Sequence, residues 1–177
     1  MHVLITGAGG MIGRKLVAAL LRGEGPGGVE KLTLTDFAAP ECAGAPGVEI
    51  ESIGADFAAD GVAETLVAGR PDIIVHLAAV VSGEAEADFD KGYRVNLDGT
   101  RRLLDAVRLA PDRGDWRPRF LFTSSVATFG GPYPDSIPDD FINSPQNSYG
   151  VQKVIGEMLL SDYSRRGFID GIGLRLP

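Results

Sequence analysis

Residues that form metal centres and covalent cross-links are scarce in this sequence. Its 177 residues include one cysteine, Cys42, and two histidines, His2 and His76. A single cysteine excludes an intrachain disulfide and a cysteine-based zinc site, and the two histidines lack the spacing of metal ligands. We therefore expect no metal site.

Positive charge and long hydrophobic runs are also in short supply. Lys and Arg number 17 against 24 Asp and Glu, which gives a formal net charge of -7. Such a surface repels polyanions and anionic membranes, so neither nucleic acid nor a membrane is an expected partner. No apolar run approaches the ~20 residues of a membrane helix. The N-terminus has no basic segment or cleavage pattern, and we expect a cytoplasmic protein.

Short apolar runs alternate with helical patterns along the chain. Strands are predicted at 2–6, 31–36, 48–53, 72–78, 119–125 and 170–176, and helices at 11–22, 60–69, 90–109 and 148–166. This alternation favours the α/β class, with a doubly wound, Rossmann-type parallel sheet and helices on both faces. The length suits one domain, 1–177.

A glycine-rich turn near the N-terminus joins the first predicted strand to the first predicted helix. Gly7 is expected to allow the sharp turn, Gly10 to let the backbone approach a ligand, and Gly13 to let helix and strand pack closely. Strand, turn and helix in this order predict a cradle for a pyrophosphate, because backbone N–H groups and the positive helix end converge there. The predicted cradle residues are Gly7, Gly10, Met11, Ile12 and Gly13.

Acidic residues follow the second and third predicted strands. Asp36 can accept both ribose hydroxyls of an adenosine and would repel a 2′-phosphate, which favours NAD over NADP. Asp56 and Phe57 are candidates for the adenine edge. An ordinary turn or cap residue is an equal alternative for Asp56.

Small residues follow the fourth predicted strand: Leu77, Ala78 and Ala79. At the carboxyl end of a parallel strand they leave room for a ligand in the crevice. Close packing alone is the alternative. His76, inside the same apolar strand, is expected to be a satisfied core histidine.

Tyr149 and Lys153 lie four residues apart in the predicted helix 148–166, so their side chains share a face. A phenol ordinarily titrates near ~10. The ammonium and a cationic nicotinamide ring are expected to lower the pKa of the phenol, so that it can take a proton from a substrate alcohol. Ser124 and Ser125 end the fifth predicted strand at the same sheet edge, where a hydroxyl can orient the reacting oxygen.

Together these motifs resemble the extended short-chain dehydrogenase/reductase family, which includes sugar-nucleotide epimerases and dehydratases. The resemblance covers the whole chain and rests on the turn 6–13, Asp36, the segment 77–79, Asn96, Ser124-Ser125 and Tyr149-x-x-x-Lys153. It implies NAD as cofactor, with Leu77 to Ala79, Asn96, Tyr149 and Lys153 at its site.

The resemblance also implies roles for single residues. The catalytic hydroxyl of the family lies five residues before a glycine that follows an aromatic residue, here Gly130. It therefore assigns catalysis to Ser125, Tyr149 and Lys153, with Ser124 supporting at the substrate. Asn96 is implied to brace backbone near the active site through water.

A narrower resemblance points to the sugar-acid dehydrogenases of that family. It rests on the segments 81–90, 92–96 and 162–168. It implies NAD-dependent oxidation at carbon 2 of a four-carbon sugar acid. Ser82 is then a candidate for the substrate carboxylate or hydroxyls, and a helix-cap or loop serine is the alternative.

Two other functions stay open at this stage. One is an NAD-dependent nucleotide-sugar epimerase. A dehydratase is disfavoured, because Val126-Ala127 occupies the positions of the acid pair that such enzymes carry. The other is a non-catalytic nucleotide-binding module, because the sequence stops at Pro177, before the small substrate lobe that the resemblance implies.

The predicted helices 90–109 and 148–166 carry apolar residues beyond one face. The resemblance implies a homodimer through these helices, and core packing alone is the alternative. The residues concerned are Val107, Leu109, Val154, Ile155, Met158 and Leu159.

Overall fold

Six strands form one parallel sheet in the order β3-β2-β1-β4-β5-β6, in a computed structural model that describes residues 1–138 and 140–177. The strands are β1 (His2–Thr6), β2 (Lys31–Asp36), β3 (Glu49–Gly54), β4 (Ile73–His76), β5 (Arg119–Ser125) and β6 (Asp170–Leu176). Every pairing among them is parallel. The predicted fold class is therefore confirmed.

Helices connect the strands much as the periodicity predicted. They are α1 (Met11–Leu21), α2 (Val62–Val67), α3 (Ser82–Ala87), α4 (Phe89–Gly92), α5 (Thr100–Leu109) and α6 (Ser148–Arg165), with a π-helical segment at Tyr93–Gly99 and a 3-10 turn at Val126–Thr128. The predicted helix 90–109 is thus α4, the π-helical segment and α5 in succession. The helix α3 was not predicted, because its six residues bury only Ala85 and show no apolar period.

The two faces of the sheet carry separate cores. On one face, Leu4 and Ile74 pack with Leu103 of α5 and Leu160 of α6. On the other, alternate residues of β1 and β2 pack beneath Val17 of α1. Strands with both faces covered read as continuous apolar runs, which explains why β1 and β4 were readily predicted.

The order of the strands reverses between β1 and β4, since β1 leads outward to β2 and β4 leads outward to β5. In open α/β sheets the crevice at the carboxyl ends of such strands is where ligands bind. Gly7 adopts φ +73°, and a Cβ atom on it would lie 2.6 Å from the amide nitrogen of Ala78 in the neighbouring loop. A Cβ atom on Gly13 would lie 2.3 Å from the carbonyl oxygen of Gly7. Both predicted glycine roles are therefore explained by the backbone.

The six apolar residues considered for a dimer differ in exposure, and Val154 and Ile155 are half-buried. Val107 is fully buried and Leu159 packs against the core, so core packing accounts for them. Leu109 and Met158 are 64% and 58% exposed. A homodimer through the predicted helices 90–109 and 148–166 stays a prediction. Within the described residues, no helix combines the length and the apolarity needed to span a membrane.

Candidate active site

A cleft of about 330 Å³ opens at the carboxyl ends of β1, β2 and β4. Its volume lies in the range of small-molecule sites. Residues predicted from four separate parts of the sequence line it together: Gly7, Gly10, Asp36, Phe57, Leu77, Ala78 and Ala79. The three small residues after β4 thus face a cavity.

The start of α1 follows Gly7 and Gly10, which line one end of this cleft. The N–H groups of Ala8, Gly9 and Gly10 already have acceptors within the turn and its neighbours. Within the part of the chain that the structure describes, those of Met11, Ile12 and Gly13 have none. The first turn of α1 also holds no acidic residue. Its positive end can therefore accept an external anion, through fewer donors than the sequence suggested.

Asp36 closes β2 and holds the glycine turn in place. Its Oδ2 accepts a hydrogen bond of 3.0 Å from the N–H of Gly9, and its Oδ1 accepts one of 2.8 Å from the N–H of Phe37. A carboxylate offers about four acceptor sites. Asp36 is half-buried at the cleft, so acceptor positions are left for a pair of ligand hydroxyls.

The structure separates the predicted adenine pair, Asp56 and Phe57. Phe57 is buried, lines the cleft and meets the ring of His76 edge-on at 5.2 Å between centroids. The Asp56 carboxylate is instead bound by the Arg94 guanidinium at 2.6 Å and by the N–H of Ala58 at 3.1 Å. An adenine contact of Asp56 stays a prediction.

Three residues predicted for catalysis gather where β5 ends and α6 begins. Asn147 caps α6 by accepting a 2.7 Å hydrogen bond from the N–H of Gly150, which fixes where the helix starts. The Lys153 ammonium lies 5.5 Å from the centre of the Tyr149 ring. It donates a hydrogen bond of 2.7 Å to the carbonyl oxygen of Thr123, two residues before Ser125. The shared helix face and the end of the strand therefore bring the predicted groups together.

In the ligand-free chain, burial sets the direction of the pKa shifts of Tyr149 and Lys153. Burial raises the pKa of Tyr149, and the Ser125 hydroxyl that faces it offsets part of that rise. Burial also lowers the pKa of Lys153 to about 8. Loss of water is therefore the largest influence on both groups in the ligand-free chain. The lowering expected from the ammonium together with a cationic nicotinamide ring stays a prediction.

Ser124 has a different partner from the one expected. Its hydroxyl donates a 2.5 Å hydrogen bond to Oε1 of Glu157 on α6, and Glu157 also holds Arg175 of β6 through two bonds of 2.8 and 2.7 Å. Successive residues of a strand face opposite sides, so Ser124 does not share the position of Ser125. No sequence motif pointed to Glu157, although it follows Lys153 by one helical turn.

Asn96 and Ser82 are the two remaining residues predicted to lie near the cofactor or the substrate. Asn96 is buried and bonds directly to the backbone of Val80 on both its N–H and its carbonyl, where the resemblance implied a water. Ser82 is the first residue of α3, directly after the N-cap residue Val81. A substrate contact of Ser82 stays a prediction, and a serine that only starts a helix remains the alternative.

His76 is a core residue, as predicted. Its ring accepts or donates to Thr6 at 2.7 Å and to Thr100 at 2.9 Å, and its side chain is fully buried. Burial lowers its pKa to about 3, so the imidazole stays neutral at physiological pH.

Known proteins are similar to this chain over its whole length. Residues 3–177 match the profile of the NAD dependent epimerase/dehydratase family. A protein of Cupriavidus necator named D-erythronate dehydrogenase is 49% identical over 100% of this chain and 55% of its own length. A crystal structure named as a nucleoside-diphosphate-sugar epimerase from Agrobacterium tumefaciens is 57% identical with a TM-score of 0.95, over 100% of this chain and 52% of that one.

A UDP-glucose 4-epimerase from Brucella ovis, solved in complex with NAD, is 29% identical with a TM-score of 0.78. The match covers 98% of this chain and 51% of that one. The chain therefore spans about half the length of the relatives that it matches.

Proposed function

The chain belongs to the NAD dependent epimerase/dehydratase family, and on this premise we propose that it binds NAD and oxidises a hydroxyl group of a sugar acid. The observation that carries the proposal is the placement of Ser125, Tyr149 and Lys153 at the same sheet edge as the cleft. The finer proposal is oxidation of the C2 hydroxyl of D-erythronate to 2-oxo-erythronate. It is supported by the 49% identity with the Cupriavidus necator protein of that name.

The residues present fit a dinucleotide. At the start of α1, three N–H groups have no acceptor among the described residues and suit a pyrophosphate. Asp36 retains acceptor positions for ribose hydroxyls. The small side chains at 77–79 leave the space that a planar ring system needs. When bound, NAD supplies the acceptor for the hydride that leaves the substrate carbon.

The protein groups then have separate tasks. Tyr149 in its phenolate form removes the hydroxyl proton of the substrate, while Ser125 donates a hydrogen bond to the reacting oxygen. Lys153 has donors beyond the one given to Thr123, which can bind ribose hydroxyls and stabilise the phenolate. Ser82 is the proposed contact for the substrate carboxylate or hydroxyls.

A nucleotide-sugar epimerase is the second candidate, because the 57% identical structure carries that description. A nucleotide-binding module without turnover is the third, since the cleft and the start of α1 suit a dinucleotide independently of any catalytic step. A substrate screen on the natural-length protein separates these functions. We expect NADH absorbance with D-erythronate and NAD, and no interconversion of nucleotide sugars.

The same screen can contradict the proposal in two ways. Interconversion of a nucleotide sugar without net NADH would favour the epimerase. NAD binding measured by calorimetry, with turnover of neither substrate class, would favour the module. Absence of NAD binding would reject all three.

Changing Asp36 to asparagine is expected to weaken NAD binding by roughly tenfold and to narrow the preference for NAD over NADP by roughly a hundredfold. The reason is that the variant loses a charged acceptor for the ribose and the repulsion of a 2′-phosphate. Dissociation constants for both nucleotides measure the effect. Asp115→Asn, on an exposed loop, removes the same charge as a control. Equal affinity of the wild-type chain for both nucleotides would contradict the role of Asp36.

A further inference from the structure

Gln152 lies between Tyr149 and Lys153 in sequence but points away from the cleft, into the interior. It is fully buried on α6. Its Oε1 accepts a hydrogen bond of 2.7 Å from Nδ2 of Asn96. Its Nε2 has no partner among the residues that the structure describes. A buried amide with one unpaired end destabilises the folded state, so its presence at this position needs an explanation.

Asn96 connects Gln152 to the wall of the cleft through two hydrogen bonds to Val80. Its Oδ1 accepts a 2.9 Å hydrogen bond from the N–H of Val80, and its Nδ2 donates one of 3.0 Å to the carbonyl oxygen of Val80. Val80 lines the cleft together with Ala78 and Ala79. The Asn96 amide nitrogen carries two hydrogens, and both donate: one to the carbonyl oxygen of Val80 and one to Oε1 of Gln152.

The backbone of Asn96 is also held by a hydrogen bond. Its carbonyl oxygen accepts a 2.7 Å hydrogen bond from the Thr100 hydroxyl. The oxygen of that hydroxyl lies 2.9 Å from Nε2 of His76. Because the Thr100 proton goes to Asn96, the ring nitrogen Nε2 of His76 is the donor and Nδ1 accepts from Thr6. A neutral imidazole has one donor and one acceptor nitrogen, as these two bonds require. Both ring nitrogens are therefore paired, and hydrogen bonds connect Thr6 of β1 to Asn96 through His76 and Thr100.

The local backbone is built around the amide of Gln152. Asn96 sits within the seven-residue π-helical segment, a conformation that is uncommon and often found at functional sites. Gly92 directly precedes that segment, and a Cβ atom on it would lie 2.8 Å from Nε2 of Gln152. Any larger residue at Gly92 would push Gln152 away from Asn96.

We propose that Gln152 is a positioning residue that, through Asn96, ties the catalytic helix α6 to the cleft wall at Val80. We call this linkage the Gln152–Asn96–Val80 clamp. It rests on the proposed function, because it matters for catalysis only if NAD lies against that wall. The clamp then sets the distance between the cofactor and Tyr149, which lies on α6 three residues before Gln152.

Hydrogen exchange at the Val80 amide tests the clamp without reference to activity. Gln152→Met keeps the volume and removes the acceptor, so Val80 is expected to exchange about tenfold faster relative to Ile5 in the central strand β1. Gln152→Glu keeps an acceptor oxygen and is expected to restore most of the protection. Asn96→Ala removes both bonds to Val80 and is expected to exceed the effect of Gln152→Met. All variants are made in the natural-length protein.

Nucleotide binding and turnover are measured on the same variants. We expect Gln152→Met to raise the dissociation constant of NAD about fivefold and to lower kcat more than it raises the KM of the sugar acid. Unchanged exchange at Val80 in Gln152→Met would overturn the clamp, and so would an equal acceleration at Ile5, which indicates a structural role only. Faster exchange with unchanged NAD affinity and kcat would overturn the positioning role. Failure of the wild-type protein to bind NAD would reject the proposed function, while the exchange result would still decide the clamp.

Discussion

Replacing Tyr149 by phenylalanine is expected to lower kcat for sugar-acid oxidation about a thousandfold while leaving the dissociation constant of NAD nearly unchanged. The substitution removes one oxygen atom and keeps the ring that packs against the core. General-base catalysis contributes about 10² to 10⁴ in rate, which sets the size of the loss. Steady-state kinetics and calorimetry on the natural-length protein measure the two quantities.

A tyrosine on the same helix provides the control. The Tyr163 hydroxyl donates a 2.7 Å hydrogen bond to Asp105, far along α6 from the cleft. Tyr163→Phe is expected to lower the melting temperature slightly and to leave kcat unchanged. Near-normal turnover of Tyr149→Phe would remove Tyr149 from its proposed role.

The pH dependence follows from the same geometry. Burial raises the pKa of Tyr149, and the proposed base is the deprotonated phenol. The wild-type kcat is therefore expected to rise with pH across the neutral range, whereas the residual rate of Tyr149→Phe is expected to be flat in that range.

The parts of the fold and site that depend on local sequence were predictable from it. Strands β1 and β4 are continuous apolar runs, and Tyr149 and Lys153 share a helix face through their spacing alone. The end of β5 placed Ser125 at the right sheet edge, because all strands of a parallel sheet end their carboxyl sides together.

The missed features depend on residues that are distant in sequence. Arg94 reaches Asp56 across 38 positions, and Glu157 takes the Ser124 hydroxyl across 33. No periodicity signals the π-helical segment, since an apolar period near 3.6 describes the flanking helices equally well. The direction of the Tyr149 pKa depends on burial, which the sequence pattern does not quantify.

Replacing Lys153 by methionine is expected to abolish turnover and yet to raise the free energy of unfolding by about 1–2 kcal/mol at neutral pH. Lys153 is buried, and its pKa falls from 10.5 to about 8. A shift of this size corresponds to roughly 3 kcal/mol of destabilisation while the amine is protonated. Loss of the hydrogen bond to Thr123 and of the cation–π contact with Phe122 offsets about half of that gain.

The sign of the pH dependence makes this prediction distinctive. Below about pH 8 both states of the wild-type chain bind the proton, and the penalty is fully present. Between about 8 and 10.5 the unfolded chain binds more protons than the folded chain, so wild-type stability rises with pH relative to the variant. The stability difference is therefore expected to fall by roughly 3 kcal/mol across that window, so that the advantage of Lys153→Met at pH 7 reverses before pH 10.5.

Chemical denaturation at a series of pH values measures the difference between the two proteins, in which the titration of groups common to both cancels. Lys15→Met, on the exposed side of α1, removes the same charge from the surface and is expected to give a small difference that does not change with pH. A variant less stable than wild type at pH 7, or a gap that widens between pH 8 and 10.5, would contradict the account. Either result would mean that the contacts of Lys153 with Thr123 and Phe122 stabilise the folded state more than burial of the ammonium destabilises it.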